Sequence, residues 1–593
     1  MHQSLPYSPS SVLRTLVVLL LLAAAQTAAA QSDHAGGVTV HGSVQSDVLT
    51  LAREDDRIGT GKPDDRFMTN TYAELRLQHR YVQAGARLEY NDHPLPGFES
   101  DFRGWGVPHF FVRGTYKWAD LTLGDFYEQF GAGLILRTYE ERSLGIDNAL
   151  RGARLALQPA KGVSLKLLAG QQRYYWHHRN LDACSPWTFG ADAELSLDAW
   201  NRRLQQSGTH LTLGFSALGN HFGRETDIYT TVEPSADGTD VVAARLRMPQ
   251  TVPAFDARIS LGRGAWSFLA EYAWKGQDPS AVNGYTYKHG QALLLSASYS
   301  RRGLSLMAQA KRSEDMTFRS RRTASRQTTA VRLNHLPAFT LPHTYALAAL
   351  YPYASQSTPG EWAFQGEAAY TFKRRTPLGG RYGTLLRLDF SHIRAIDGQT
   401  DERHANTPGG NGTRSRFFRM GRELYFQDLS MQMEKRLSKR FKMSALYSWQ
   451  RYNKTVVEGE GGMVGSHVFV LDGRWRLSKR LALRAEAQYL HTRQDQGDWW
   501  IGLAELSLTP HWVVTLSDMY NADVPYYTRA GAVDESRGTH RQHYMMGSVA
   551  FTHKAHRLQA GYGKTRAGYN CSGGVCRFVP AQSGLQLSYS FNF

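Results

Sequence analysis

The chain ends Gly584-Leu585-Gln586-Leu587-Ser588-Tyr589-Ser590-Phe591-Asn592-Phe593, and the fold class turns on how this stretch is read. From Leu585 onward every odd position is apolar and every even one is small or polar. A two-residue period describes an extended strand with one apolar face and one wet face. The apolar face becomes aromatic at Tyr589, Phe591 and Phe593, as expected where a strand leaves hydrocarbon and meets lipid headgroups. The edge strand of a soluble sheet would more often end in frayed, polar residues.

The same alternation recurs upstream. Val38 to Val48 alternates, Phe67 to His79 and Val82 to Tyr90 pair through a tight turn, and Val107 to Tyr116 runs past another into Leu121 to Phe130. Further on, long connections fall near 131–146, 174–187, 219–250, 276–284, 395–421, 453–465, 521–540 and 567–580. Short ones fall near 158–162, 262–265, 299–302, 436–440, 477–480, 509–511 and 554–556. Short periplasmic turns and long external loops are the habit of bacterial outer-membrane barrels. With both termini periplasmic the strand number is even; the tally is about 26, with 24 the nearest alternative. Segment 320–345 is the least clear. The expected fold is all-β, a single transmembrane antiparallel barrel occupying 31–593. Leu481, Leu483, Ala485, Ala487 and Tyr489 point to one face and Arg484, Glu486 and Gln488 to the other, which suits a solvated lumen laced with ion pairs.

Residues 1–30 read as a signal peptide. Arg14 supplies a basic start, Leu16 to Ala25 an apolar run, and Ala28-Ala29-Ala30 a cleavage site before Gln31. The run is short for a membrane helix, and no cysteine follows the site to carry lipid. The first strand starts so soon afterwards that no room is left for an N-terminal plug domain, which disfavours a TonB-dependent transporter. A mean hydropathy of −0.44 suits a barrel, because only alternate strand residues meet lipid. The 30 Tyr and 13 Trp supply interfacial girdles. A net charge of +17 places basic groups either in an anion-preferring lumen or on rims against lipid phosphates. No nucleic-acid module interrupts the strands.

The densest stretch outside the C-terminus runs from Gly124 to Gly152. Alternation holds at Leu121 and Leu123 and breaks at Asp125, where a bulge would re-aim the strand. Beyond Gly131 and Gly133, the apolar run Leu134-Ile135-Leu136 is followed by Arg137, Glu140, Glu141, Arg142 and Asp147. A loop folded into the barrel mouth would bury the apolar run and pair these charges with lumen partners. These five charged residues are the candidate constriction, with Arg137 and Arg142 setting ion preference. The other reading is a packed external loop with no part in transport.

Cys571 and Cys576 flank Ser-Gly-Gly-Val, a spacing that can close a tight disulfide in an oxidising compartment; Cys184 is left over. His177-His178 and the pair His540 and His543 are weak metal candidates, and Asn411-Gly412-Thr413 is a sequon on paper. Neither Gly-x-Ser-x-Gly nor His-Glu-x-x-His is present, so no enzyme activity and no cofactor is expected.

Four stretches carry a more specific resemblance: Gly124 to Gly152, Tyr345 to Tyr353 (Tyr-Ala-Leu-Ala-Ala-Leu-Tyr-Pro-Tyr), Thr376-Pro377-Leu378-Gly379-Gly380, and Gly568 to Arg577. Over nearly the whole mature chain the sequence resembles an uncharacterised family of Bacteroidetes outer-membrane β-barrels. The resemblance implies fold and location, and no catalytic residues. The terminal aromatics Tyr589, Phe591 and Phe593 likewise resemble the signal recognised when such barrels are inserted, which makes barrel assembly machinery and outer-membrane lipid the expected partners. Two functions follow as expectations: a porin-like passive channel for hydrophilic, including anionic, solutes, or a non-transporting barrel within an envelope assembly or secretion complex, docked to a protein partner. A barrel of this size is far wider than small solutes need, so loops or a partner should fill it under either reading.

Overall fold

Period-two alternation becomes ladder wherever tight turns let neighbouring runs meet. A computed structural model describes residues 37–63, 65–176, 186–223, 229–232, 242–326, 328–356, 358–399, 410–528, 532–572 and 575–593. Its main sheet holds 24 antiparallel strands. In chain order they are Val38–Thr50, Phe67–His79, Val82–Asn91, Gly104–Tyr116, Ala119–Phe126, Leu150–Leu157, Val163–Gln172, Trp187–Ser196, Thr209–His221, Thr251–Arg263, Trp266–Lys275, Gly290–Arg301, Leu304–Glu314, Gly360–Phe372, Thr384–Gln399, Arg414–Arg436, Phe441–Asn453, Met463–Arg476, Leu481–Thr492, Trp499–Leu508, Trp512–Pro525, Thr539–His553, His556–Thr565 and Gln582–Asn592.

The first strand pairs with the last, from Ser43 opposite Asn592 to Thr50 opposite Leu585, and closes the barrel. Beyond that ladder, Gly42 N donates to Phe593 O and Phe593 N to Gly42 O, both at 2.9 Å. The terminal ring lies over Gly42, where an added Cβ would stand 2.2 Å from Phe593 Cζ. Closure satisfies the backbone that an open edge would leave bare in lipid. On the neighbouring strand, Tyr589 faces Leu558 and Leu585 faces Tyr562, and both partners are exposed on the outer surface. The apolar face of the C-terminal strand therefore points outward.

The turns repeat their chemistry as well as their spacing. In Arg436-Leu437-Ser438-Lys439-Arg440, Ser438 Oγ accepts from Arg440 N (3.1 Å) and Phe441 N (3.0 Å). Ser478 does the same for Arg480 N and Leu481 N, both 3.1 Å, in the second copy of the word. A serine hydroxyl that mimics a backbone acceptor stabilises a turn in either place. Aromatic pairs gather beside these turns: Trp266–Tyr299 at 4.7 Å, Phe441–Trp475 at 4.4 Å and Trp512–Phe551 at 4.5 Å between centroids. Tyr489–Trp500 at 4.0 Å and Tyr447–Phe469 at 5.2 Å lie towards the other end. Two aromatic belts with apolar strand faces between them are the mark of a membrane-spanning barrel.

The expected barrel is present with a strand number inside the expected range of 24–26, and several finer expectations need correction. The barrel takes the smaller expected strand number, and segment 320–345 adds no barrel strand: 315–359 is one connection. Pro337, Pro342, Pro352 and Pro359 lie within it, and proline cannot donate to a ladder. No bulge forms at Asp125; Ala119–Phe126 pairs in unbroken register with Leu150–Leu157 and stops at Phe126. Instead the Asp125 carboxylate accepts Phe110 N at 2.8 Å and pairs with Arg151 at 2.9 Å. The lumen is charged along only part of its height. On Met463–Arg476 the inward residues Val464, Val468 and Val470 are buried and apolar near the long connections, and Asp472 follows towards the short turns. Thr251–Arg263 repeats the pattern, with Val252 and Ala254 above Asp256 and Arg258.

Candidate functional site

The apolar part of the wall faces two connections that fold into the barrel from the same end. Residues 127–149 form the first. Phe130, Leu134, Ile135 and Leu136 are all fully buried. Gly131 (φ +52) and Gly133 (φ +94) make the turn that carries them inward, in a backbone region that favours glycine. A Cβ on Gly131 would meet Glu271 Oε1 at 2.7 Å, and Ala132 N donates to Glu271 Oε2 at 2.9 Å.

Residues 315–359 form the second, which the sequence reading missed. Its Met316, Phe318, Leu333, Leu347, Ala348, Tyr351 and Tyr353 are buried. They share one apolar cluster with Leu134–Leu136 and with inward residues of strands around most of the wall, among them Leu168, Val252, Leu294, Phe426, Val468, Leu490 and Trp499. The two connections thus form a plug across the lumen, and the apolar core of the protein sits inside the barrel. A signal for it was present in His467-Val468-Phe469-Val470-Leu471. A strand apolar on both faces has lipid on one side and something other than water on the other.

Irregular backbone at this depth must find partners, and wall amides supply them. Gln172 Nε2 donates to Arg332 O (2.6 Å), Asn220 Nδ2 to Arg319 O (3.2 Å) and Gln450 Nε2 to Ala348 O (2.9 Å), while Leu347 N donates to Gln488 Oε1 (2.9 Å). The buried pair Lys311–Glu361 (2.6 Å) clamps the far end, with Tyr353 OH and Ser355 Oγ donating to the same carboxylate. The two connections are stitched to each other by Arg137 N to Leu333 O (2.8 Å), His335 N to Gly133 O (2.9 Å) and Asn334 Nδ2 to Leu134 O (2.8 Å).

The five candidate constriction residues separate into two groups. Glu140, Arg142 and Asp147 join a network on the wall. Arg87 pairs with Glu89 (2.8 Å), Glu140 (3.0 Å) and Asp147; Arg173 pairs with Glu89 (2.8 Å) and Asp147; Arg142 pairs with Glu140 (2.6 Å) and Glu74. Tyr127 OH donates to Asp147 at 2.9 Å. Burial opposes ionisation of Asp147, but Arg173 and Arg87 outweigh it and hold the carboxyl well below the ordinary range. Glu141 instead caps a short turn, accepting Ser143 Oγ at 2.7 Å. Arg137 lies over the Tyr139 ring at 4.9 Å and beside the second connection. The charge of Arg142 is therefore neutralised in the network, and of the two arginines expected to set ion preference, Arg137 is the one outside it.

Cys571 and Cys576 stand opposite each other in the small hairpin Gly568–Ser572 with Val575–Val579, and their sulfurs are joined. Cys184, His177 and His178 lie outside the described residues, as do residues 1–30. His540 stacks on Tyr526 at 4.3 Å and His543 bonds Asp518 at 2.7 Å, so the two histidines have separate surroundings. Among the described residues no group of three or more His, Cys, Asp or Glu could hold a metal ion.

No curated protein matches the chain. Among solved structures, the P pilus usher (PapC) translocation pore is similar with a TM-score of 0.41 and 10% identity, over 93% of this chain and 99% of that one. The outer membrane transporter YddB from Escherichia coli has a TM-score of 0.37 and 10% identity, over 93% and 81%. The copper transporter OprC has 0.38 and 9%, over 94% and 80%. Residues 12–593 match the family described as "Family of unknown function (DUF6029)", and the chain belongs to it.

Proposed function

We propose that this protein is an outer-membrane conduit for hydrophilic, including anionic, solutes that its own two inward connections hold shut at rest. The short turns lie on the periplasmic side, the long connections outside, and residues 1–30 are removed on export. The observation that carries the reading is the single apolar cluster running from Leu134–Leu136 through Phe318 and Leu347 to the wall at Val468 and Trp499. Water-filled porins have a polar interior, whereas other barrels are plugged by loops; a dry seam of fully buried leucines carries no ion. Below the seam the lumen is lined with ion pairs, Arg258 with Asp192 (2.5 Å), Glu194 (2.8 Å) and Asp256 (3.0 Å), and Arg484 with Asp472 (2.9 Å). Such a wall suits passage of polar solutes once the plug yields. The test is single-channel recording of the purified protein in planar bilayers. Long closed periods broken by rare openings of large conductance are expected, and a steady open pore would refute the plug. A barrel that stays silent even when the plug is loosened would favour a non-transporting role in an envelope assembly.

A further inference from the structure

We infer that the plug carries a binding site for a doubly charged oxyanion, either free phosphate or sulfate or the same group on a small solute, held by Arg319, Arg332 and Arg326. Arg319 and Arg332 are direct partners in an isolated antiparallel bridge within the second connection. Ser320 N to Val331 O and Leu333 N to Phe318 O, both 2.9 Å, flank the bridge and fix its register. Directly opposed residues share a face, and like charges in that position repel. The backbone offers no relief, because Asn220 and Gln172 of the wall hold the two arginine carbonyls.

Both arginines, with Arg326 from the tip of the same hairpin, line one cavity of about 130 Å³. That is room for a tetrahedral oxyanion with a water or two. Arg319 is 2% exposed, and its Nε is buried without a hydrogen-bond partner. Its other nitrogens reach the carbonyls of Ala324 and Thr328, and Arg326 reaches Gln356 Oε1 and Thr358 O, both at 3.2 Å. All of these acceptors are neutral.

Nearby carboxylates are engaged elsewhere. Glu458, the one acid in the lining, accepts Tyr452 OH at 2.9 Å and lies 3.9 Å from Lys454. Asp278 pairs with Lys275 (3.4 Å) and Arg322 (3.3 Å), and Glu99 is bonded by Tyr175. Burial pushes Arg319 down to about 9; Arg332 and Arg326 add to the effect, and Glu99 and Asp278 offset only part of it. Three positive groups around a small cavity whose single acid, Glu458, is engaged elsewhere form a site for an anion, since arginine forks match oxyanions bidentately. Arg326 is exposed, so the site opens at the hairpin tip.

The test is isothermal titration calorimetry on the folded barrel in detergent, with chloride matching ionic strength in every arm. The probes are inorganic phosphate, glucose 6-phosphate and glucose. Arg326→Gln, at the exposed tip, tests the site without disturbing the buried bridge; Arg319→Gln with Arg332→Gln tests its centre. Phosphate or the sugar phosphate should bind to wild type and glucose should not. Each variant should weaken binding by at least about tenfold, the loss expected for a charge-assisted hydrogen bond. Tighter binding of inorganic phosphate marks the free ion as ligand, and tighter binding of glucose 6-phosphate marks an ester. Heat of binding that is absent in wild type, or unchanged in Arg326→Gln, would overturn the assignment. The readout is binding alone, so a failure here leaves the gating of the conduit to be judged by conductance.

Discussion

Truncating Leu136 to alanine should open the conduit. Leu136 sits where the first connection meets the second: its carbonyl accepts Phe130 N at 3.1 Å, and the next amide, Arg137 N, crosses to Leu333 O. Its side chain is fully buried in the shared cluster. Removing a buried leucine side chain costs about 2–5 kcal/mol in transfer and cavity terms. The wall strands keep their ladders and their outward faces, so the loss falls on the docked plug. At about 1.4 kcal/mol per factor of ten, even the low figure raises the ratio of open to closed plug roughly 30-fold. Planar-bilayer recording reads that ratio as the fraction of time open, and heat-modifiable migration on gels confirms that the variant is folded. A folded Leu136→Ala barrel with an open fraction no greater than wild type would refute the idea that this seam holds the lumen shut.

Deleting Phe593 removes both hydrogen bonds to Gly42 and the ring above it, at a cost of about 2–4 kcal/mol; the yield of heat-modifiable barrel should fall, and an undiminished yield would mean that closure does not need this residue. Cys571 and Cys576 should give a non-reduced peptide lighter than the dithiol by a pair of hydrogens, and free alkylatable thiols would remove the bridge. His335 is pushed down to about 3, by burial first and then by Arg137, Lys311 and Arg332. The unfolded chain takes up this proton below 6.5 and the folded chain does not, so stability falls as pH drops from 6.5 towards 3. Asp315, pushed up to about 6 by burial, works in the opposite direction between 6 and 3.8. His335→Gln should therefore gain about 2–3 kcal/mol on wild type between pH 7 and pH 4.5 in urea titrations, and an equal difference at both pH values would contradict the assignment.

The wall was legible in the sequence because its information is local. Alternation at 585–593, the repeated turns at Ser438 and Ser478, and the long connections each announce themselves within a few residues. The run Leu134-Ile135-Leu136 also signalled a connection with somewhere dry to go. What could not be read was where it went. The partners that seat the plug come from far along the chain: Gln172 and Gln450 reach Arg332 and Ala348 only after the barrel closes. That Arg142 meets lumen carboxylates was legible; that Glu74 is one of them was not, because it comes 68 positions earlier in the chain. Segment 320–345 resisted assignment for the same reason. It has neither period, since the whole lumen surrounds it and no single face is wet.

The way the plug is attached indicates where it would yield. The first connection is bound to its wall by the network of Arg87, Arg173, Glu89, Glu140 and Asp147, which is nearly dry. The second is held to the far wall by hydrogen bonds to the buried wall pair Lys311–Glu361: Lys311 Nζ donates to Ser355 Oγ (2.8 Å), and Glu361 accepts Gln356 N (2.7 Å), Ser355 Oγ (2.8 Å) and Tyr353 OH. Pulling the first away would leave a buried charge uncompensated, which costs several kcal/mol, and pulling the second away would break several hydrogen bonds to charged groups, about 1.5–3 kcal/mol each. Between the connections there are backbone hydrogen bonds and apolar contacts, and a neutral hydrogen bond is worth only about 1 kcal/mol net. The junction of Gly133–Arg137 with Leu333–His335 is therefore the cheapest place to open, and each connection can stay fixed to its own side while it does. Arg332, which lines the oxyanion cavity, directly precedes Leu333 in that junction. An anion drawing Arg332 towards Arg319 would act on the second connection within one residue of the seam, so occupancy of the cavity and closure of the lumen are mechanically joined.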